Sequence, residues 1–234
     1  MSSPTNGISC LHLVLADSVV MQEAMQTLFH SNPGFINANT STGQSPLAFI
    51  CTDCPWASEK IRFLLERNAD VTERDSDGRT CLHLCVSLVR DALVWTFDLH
   101  RMMKQYSMGI IVLIKHGADV YAKDHDGRSV SDVAYAAQPW DYTGELGSVQ
   151  GDVWDFALAS CGYDILTFRQ GRRRKARHGK RYRRQDFEKL WEGQEHLCPY
   201  YYDEENYLSD EDSEACSDEG SEDGWATTDS EEEG

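Results

Sequence analysis

The sequence predicts an all-α solenoid of helix–turn–helix units with short hairpin loops, followed by a largely disordered charged tail. Two short signatures recur four times, in the same order, over residues 6–166. Between the signatures, apolar residues such as Ile61, Leu64 and Leu65 follow the spacing of one helix face. The charge also changes abruptly, since residues 203–234 hold 15 acidic residues and no basic one.

The first signature begins at a turn glycine and continues into the predicted start of a helix. Its four copies are Gly7-Ile8-Ser9-Cys10-Leu11-His12-Leu13, Gly43-Gln44-Ser45-Pro46-Leu47-Ala48-Phe49, Asp77-Gly78-Arg79-Thr80-Cys81-Leu82-His83-Leu84 and Asp126-Gly127-Arg128-Ser129-Val130-Ser131-Asp132-Val133-Ala134. The second signature closes each unit, as Ile36-Asn37-Ala38, Asn68-Ala69-Asp70-Val71, Gly117-Ala118-Asp119-Val120 and Gly162-Tyr163-Asp164-Ile165. Successive turn glycines are 36, 35 and 49 residues apart, a spacing typical of stacked repeats.

These signatures resemble the ankyrin repeat, a unit of about 33 residues built from a turn and two helices around a T-P-L-H core. In the third unit His83 has the histidine position of that core, and Cys81 replaces its proline. In ankyrin repeats this histidine ring hydrogen-bonds neighbouring backbone. The resemblance implies one repeat domain at 1–168, with repeats at about 6–38, 39–73, 74–122 and 123–166.

Local sequence signals agree with helices at these positions. Ser45 and Thr80 stand where an N-cap hydroxyl accepts backbone N–H groups. Pro46 follows at the first helical position, where its missing N–H has no cost. Gly117 and Gly162 come just after amphipathic segments, where a left-handed residue ends a helix.

Three regions depart from the repeat pattern. The third repeat contains an insertion, Ser87–Met108, which we expect to extend its first helix because it contains neither Pro nor Gly. The fourth contains Gln138–Gln150, which we expect to be a loop because it holds one proline and two glycines. The first repeat starts almost at Met1 without a polar capping repeat. Either the chain is truncated relative to a longer parent, or helix 10–17 is exposed and mobile.

The sequence contains neither a convincing membrane span nor a signal peptide. Charged residues interrupt every apolar stretch well before the roughly 18–20 residues that a spanning helix needs. The N-terminus lacks a basic region, and Asp17 interrupts its apolar run. We therefore expect an intracellular protein, nuclear or cytoplasmic, whose 8 cysteines are reduced thiols.

No pattern in the chain indicates catalysis, a metal or a cofactor. Cys51-Thr52-Asp53-Cys54 has no second CxxC to complete a four-ligand zinc site, so we interpret it as a turn between helices. Cys81, His83 and Cys85 are interpreted as packing residues of the third repeat. No nucleophile, phosphate-binding or metalloprotease motif occurs. We expect no enzyme activity and no small-molecule substrate.

The resemblance also implies where a partner protein binds, since ankyrin repeats usually contact partners with their hairpin tips and first helices. Carried over by position, the predicted contact residues are Asn39, Ser41, Thr42, Arg74, Ser76, Asp77, Lys123, His125 and Asp126.

The segment 169–202 is predicted to contain a basic block and a short helix. The basic residues of the block proper are Arg172, Arg173, Arg174, Lys175, Lys180, Arg181, Arg183 and Arg184, together with Arg177. Three interpretations stay open: a nuclear localisation signal, a site for nucleic-acid phosphates, and a solvated linker. Tyr182 is the one aromatic residue in the block, which disfavours recognition of a single strand by stacking.

Residues 203–234 are too polar and acidic to form a core, which predicts disorder. Ser209, Thr228 and Ser230 each precede an acid by three residues, as in substrates of acidophilic kinases. The acidic tail is expected to fold back on the basic block and mask it, and phosphorylation would strengthen the masking.

The sequence thus favours a non-catalytic adaptor that binds another protein through its repeats, with no membrane partner. The first alternative is a nucleic-acid- or chromatin-associated protein that acts through its charged segments. The second is a degraded or truncated repeat protein without an autonomous function.

Overall fold

The structure, a computed structural model, describes residues 27, 30, 31, 33–39, 44–53, 57–93, 98–136, 149–169 and 181–202. In these ranges the chain forms eight α-helices: α1 (Pro46–Asp53), α2 (Ser58–Leu65), α3 (Cys81–Leu93), α4 (Leu99–Lys115), α5 (Val130–Tyr135), α6 (Val149–Ser160), α7 (Ile165–Arg169) and α8 (Arg184–Trp191). Two 3-10 helices, Pro33–Asn37 and Glu195–Leu197, complete the described elements. None of the described helices is both long and apolar enough to cross a membrane.

The helices pair as the repeats predict. The pairs α1–α2, α3–α4 and α5–α6 belong to the second, third and fourth repeats. The first helices α1, α3 and α5 pack side by side in one layer, and the second helices α2, α4 and α6 form another. A single apolar core therefore runs through the described part of the chain, from Ile36 to Tyr200. The all-α solenoid predicted from the sequence is confirmed.

Three predicted helix-end residues, Ser45, Gly117 and Gly162, have the predicted roles. Ser45 caps α1, because its Oγ accepts the N–H of Ala48 at 3.1 Å. Gly117 and Gly162 have φ angles of 94° and 83°, which L side chains rarely adopt. In the second repeat Asn68 has the same place, with a φ of 63°.

The insertion of the third repeat lengthens both of its helices. α3 has 13 residues and α4 has 17, whereas α1 and α2 have 8 each. The sequence assigned the whole of Ser87–Met108 to the first helix, but the structure describes that helix as far as Leu93 and begins the separate helix α4 at Leu99. Asp98 then caps α4 by accepting the N–H of Arg101 at 3.3 Å.

Two other irregular regions lie mainly outside the described residues. Of the predicted loop Gln138–Gln150, the structure describes only its last two residues, which begin α6. Of the first repeat it describes chiefly its end, where Ile36 is buried in the core. The predicted helix 10–17 and the tail 203–234 are outside the described ranges.

The segment 181–202 packs against the repeats. The predicted short helix is present as α8, which contacts α4 and α6. Its Phe187, Leu190 and Trp191 are fully buried, and Trp191 meets Phe156 of α6 edge to face with ring centroids 5.1 Å apart. This segment therefore continues the core of the last repeat.

A buried polar cluster fixes this C-terminal segment to α6. Asp155 accepts hydrogen bonds from the hydroxyls of Tyr135 and Tyr200 and from the guanidinium of Arg169. On the preceding turn of α6, Asp152 accepts a hydrogen bond from the hydroxyl of Tyr182 at 2.7 Å, and its other carboxylate oxygen lies 3.6 Å from Arg169 Nη2. Together these six residues, here named the Asp155 cluster, join α5, α6, α7 and the C-terminal segment.

Burial changes the acidity of this cluster. Desolvation raises the pKa of Asp155 above its ordinary value, although the Arg169 guanidinium opposes the shift. Burial and the neighbouring Asp155 charge raise the pKa of the Tyr200 hydroxyl well above its ordinary value. Tyr200 consequently stays a hydrogen-bond donor to Asp155 throughout the physiological pH range.

Candidate functional site

Two hairpins with the same five-residue pattern project from the described repeats. The pattern is Asp75-Ser76-Asp77-Gly78-Arg79 in the third repeat and Asp124-His125-Asp126-Gly127-Arg128 in the fourth. An isolated antiparallel bridge closes each hairpin at its base, Arg74 with Thr80 and Lys123 with Ser129. They are named here the third and fourth hairpins.

A central aspartate organises the third hairpin. Asp75 Oδ1 accepts the backbone N–H of Asp77 at 3.0 Å and that of Arg79 at 2.8 Å. Arg79 returns the contact through its side chain, because its Nε donates to Asp75 Oδ2 at 2.8 Å and its Nη2 lies 3.0 Å from Asp77 Oδ2. The hairpin backbone is therefore held by its own side chains.

The fourth hairpin repeats this arrangement. Arg128 donates its backbone N–H to Asp124 Oδ1 at 2.8 Å and its Nε to Asp124 Oδ2 at 3.0 Å, and its Nη2 lies 3.1 Å from Asp126 Oδ2. Burial alone would raise the pKa of Asp124, but these Arg128 contacts outweigh it and lower that pKa. Asp124 is therefore ionised and bound at neutral pH.

Both hairpins contain a glycine that the backbone requires. Gly78 and Gly127 have φ angles of 74° and 77°, in the left-handed region that favours glycine. Gly78 also lies against the ring of His125, since a Cβ at this glycine would be 2.4 Å from His125 Cδ2. Among the described residues, no atom lies within 4 Å of a Cβ built at Gly127.

Hydrogen bonds tie the two hairpins into one unit. The N–H of His125 donates to the carbonyl of Asp77 at 2.9 Å. Arg74 Nη1 donates to the carbonyls of Gly78 and Lys123, both at 2.6 Å. The Arg74 side chain thus connects its own hairpin to the next. From the sequence, Arg74 was predicted only as a contact for a partner protein.

A buried histidine adds a connection beneath the hairpins. His83 Nδ1 accepts the N–H of Thr80 at 3.2 Å, and His83 Nε2 lies 3.2 Å from the carbonyl of Arg128. A carbonyl can only accept and a backbone N–H can only donate, so the ring is the neutral tautomer with its proton on Nε2. Burial lowers the pKa of His83, which favours this neutral form.

These contacts agree with what the ankyrin resemblance implied for His83. The role of Thr80 differs from the predicted N-cap, because its hydroxyl pairs with His83 Nδ1 at 2.9 Å. The T-P-L-H core of this repeat therefore uses histidine and threonine as a pair.

A cavity of about 490 Å³ lies between α1 and the third hairpin. Ala48 of α1 and Leu84 of α3 supply apolar surface, and the polar lining includes Glu73 and Ser76. We name this the α1–hairpin pocket. It opens beside the hairpin tips, so a bound chain could contact both.

Seven of the predicted contact residues are exposed: Arg74, Ser76, Asp77, Lys123, His125 and Asp126 at the hairpins, and Asn39 before α1. Ser41 and Thr42 lie outside the described residues. Sequence reasoning missed the organising roles of Asp75, Arg79, Asp124 and Arg128, although the recurring Asp-x-Asp-Gly-Arg pattern is a visible signal for them.

Only part of the basic block lies within the described residues. Arg181, Arg183 and Arg184 are exposed at the start of the C-terminal segment, and Arg184 Nε lies 2.6 Å from Glu188 Oε1. Tyr182 is fully buried in the Asp155 cluster, so its ring is not available to stack on a base. The other basic residues of the block, and the phosphorylation candidates Ser209, Thr228 and Ser230, are outside the described ranges.

The cysteines of the second and third repeats lie in the core. Cys51, Cys81 and Cys85 are buried. Hydrogen bonds with Cys81 and Cys85, together with burial, raise the pKa of the Cys51 thiol well above its ordinary value. Among the described residues, no group of three or more His, Cys, Asp or Glu side chains is arranged to hold a metal ion. The interpretation of Cys81 and Cys85 as packing residues agrees with their burial, whereas Cys51 lies in α1 and not in the predicted turn.

Comparison with known proteins gives a limited set of similarities. No family model matches the chain. A putative ankyrin repeat protein of Acanthamoeba polyphaga mimivirus is 28% identical over 90 residues, which span 38% of this chain and 20% of the viral protein. The ankyrin repeat domain of Bcl-3, a member of the IkappaB protein family, is 21% identical with a TM-score of 0.42, covering 54% of this chain and 47% of that one. The recurring signatures, the stacked helix pairs and the viral similarity together make this chain similar to ankyrin-repeat proteins.

Proposed function

We propose that this chain is a non-catalytic adaptor whose protein partner lies across the third and fourth hairpins. The observation that carries the proposal is the rigid connection between the hairpins through Arg74 and His125. A surface that is ordered before binding loses less conformational entropy when a partner docks, so more of the contact energy appears as affinity.

The exposed side chains at the tips support a polar contact surface. The side chains of Ser76 and Lys123 are exposed and make none of the hairpin contacts described above, whereas those of Arg74 and Arg79 are engaged. Substitutions at the first two positions therefore change the surface without removing the hairpin contacts.

The test compares full-length wild type with a variant carrying Ser76→Arg and Lys123→Glu. Proteins captured by the wild type are identified, purified and titrated against both chains. We expect the variant to bind about tenfold or more weakly, since residues at the centre of an interface contribute most of its energy. The control is Glu66→Arg, an exposed position outside the hairpins and the pocket, for which we expect a change of less than about twofold. If every captured partner binds the hairpin variant as tightly as wild type, the proposal is wrong.

Nuclear localisation and nucleic-acid binding through the basic block stay predictions. The burial of Tyr182 supports electrostatic contact over base stacking for any nucleic acid that the block binds. The fixed position of residues 181–184 on the folded domain favours residues 172–180 as the segment that an import receptor would contact.

A further inference from the structure

The α1–hairpin pocket has an apolar floor and four charged lining residues, which differ in whether they already have a partner in the folded chain. Its charged lining residues are Glu73, Arg74, Asp75 and Arg79. Arg79 is paired with Asp75 and Asp77 within the hairpin. Arg74 donates to two backbone carbonyls. Both cations of the pocket therefore have partners in the folded chain.

Glu73 differs from these groups. It is half-buried at the pocket wall, and within the described part of the chain no hydrogen bond or ion pair involves its carboxylate. A ligand carboxylate entering the pocket would meet this unpaired charge, and it could bind Arg74 or Arg79 only by displacing existing contacts. A ligand cation would gain a partner without displacing anything.

The shape of the pocket suits a long basic side chain. Lysine and arginine bury their aliphatic stems on apolar surface while the charged group reaches a polar partner. Here Ala48 and Leu84 supply the apolar surface and Glu73 the anionic partner. The repeat domain, 1–168, holds 20 acidic and 11 basic residues, so its long-range field also attracts a basic segment.

We infer that the α1–hairpin pocket accepts a lysine or arginine side chain from an extended, basic segment of the protein partner. The stem lies on Ala48 and Leu84, the cation pairs with Glu73, and the neighbouring residues of the segment contact the hairpin tips. This inference rests on the proposed adaptor function and adds the chemical class of the partner to it.

The experiment selects binders from a displayed library of random dodecapeptides, with the full-length chain as bait at physiological salt. The bait is wild type, Glu73→Gln or Glu73→Lys, and the control is Glu66→Arg. The acidic tail is present in every bait, so nonspecific attraction of basic peptides contributes equally to all of them. The readout is the change in Lys and Arg enrichment between baits, and thermal melting checks that each variant folds.

We expect wild type and Glu66→Arg to enrich peptides with Lys or Arg at one fixed position. Glu73→Gln should weaken binding of a selected peptide about fivefold to tenfold, and Glu73→Lys should shift the selection at that position toward Asp or Glu. Equal selections from wild type and Glu73→Lys would overturn the inference.

A fifth bait separates this inference from the adaptor proposal. If Ser76→Arg with Lys123→Glu loses peptide binding but both Glu73 variants select as wild type does, the partner class is wrong and the adaptor surface stands. If the Glu73 and hairpin variants all select the same peptides as wild type, both proposals are wrong.

Discussion

The hairpins and the Asp155 cluster both join arginine to aspartate, but in different surroundings. At the fourth hairpin the Arg128 side chain is 59% exposed, whereas in the cluster Arg169 is 15% exposed and Asp155 fully buried. Water competes for the contact between Arg128 and Asp126, whose side chains are 59% and 75% exposed, so this ion pair contributes at most about 1 kcal/mol to stability. Buried charges have no such alternative, and removing one partner leaves the other without compensation. Arginine–aspartate pairs thus order the surface hairpins in one region and fix the C-terminal segment to α6 in the other.

The largest effect is expected from Asp155→Ala. This change removes the nearer of two described carboxylates that face the buried Arg169, leaving Asp152 at 3.6 Å, and it removes the acceptor of Tyr135 and Tyr200. The free energy of unfolding should fall by about 3–5 kcal/mol, because an uncompensated buried charge is strongly destabilising. Urea denaturation measures the change.

The matched control is Asp75→Ala in the third hairpin, which removes the aspartate of a partly exposed pair, since the side chains of Arg79 and Asp75 are 40% and 22% exposed. We expect it to cost about 1 kcal/mol. Equal losses from the two substitutions would contradict the difference in burial on which the comparison rests.

An intermediate effect is expected from the two hairpin glycines. Gly127→Ala introduces a side chain at a φ of 77° with no neighbour to obstruct it, so only backbone strain of about 1–2 kcal/mol is expected. Gly78→Ala adds a clash with the His125 ring at 2.4 Å and should cost more.

Double substitution tests that explanation. In a His125→Ala background the ring that obstructs Gly78→Ala is gone, and the extra cost should disappear. If Gly78→Ala and Gly127→Ala destabilise the wild-type protein equally, the contact between Gly78 and His125 contributes nothing to the connection of the hairpins.

The same contrast explains what could be predicted from the sequence. The helix ends depend on nearby residues, so Ser45, Gly117 and Gly162 could be assigned from local rules. The Asp155 cluster depends on residues 14 to 45 positions apart along the chain, which no local pattern relates. Asp155 has the sequence appearance of an acid on a helix surface, and it is buried only because α5, α7 and the C-terminal segment all pack on α6.

In the candidate site, too, the local features were predictable from the sequence and the contacts between distant residues were not. Hairpin positions followed from the turn glycines, and the exposed residues there followed from the ankyrin resemblance. The connection that Arg74 makes between the hairpins was not predictable. Its guanidinium donates to backbone carbonyls, so no acidic residue in the sequence indicates the contact. Glu73 was missed for a related reason, since an unpaired carboxylate is recognised only after the partners of its neighbours are known.

The smallest effect concerns His83, which joins the two hairpins from below. Burial lowers its pKa in the folded chain relative to an unfolded value of about 6.5. The unfolded state therefore binds the proton more readily, and stability falls as the pH decreases through about 6.5 toward the lower folded pKa. Above about 6.5 the contribution is fully present. The measurement is the unfolding free energy from pH 8 to pH 5 for wild type and His83→Gln, since their difference cancels the other titrating groups. A difference that stays constant with pH would show that His83 keeps its unfolded proton affinity, and that the neutral ring does not connect the hairpins.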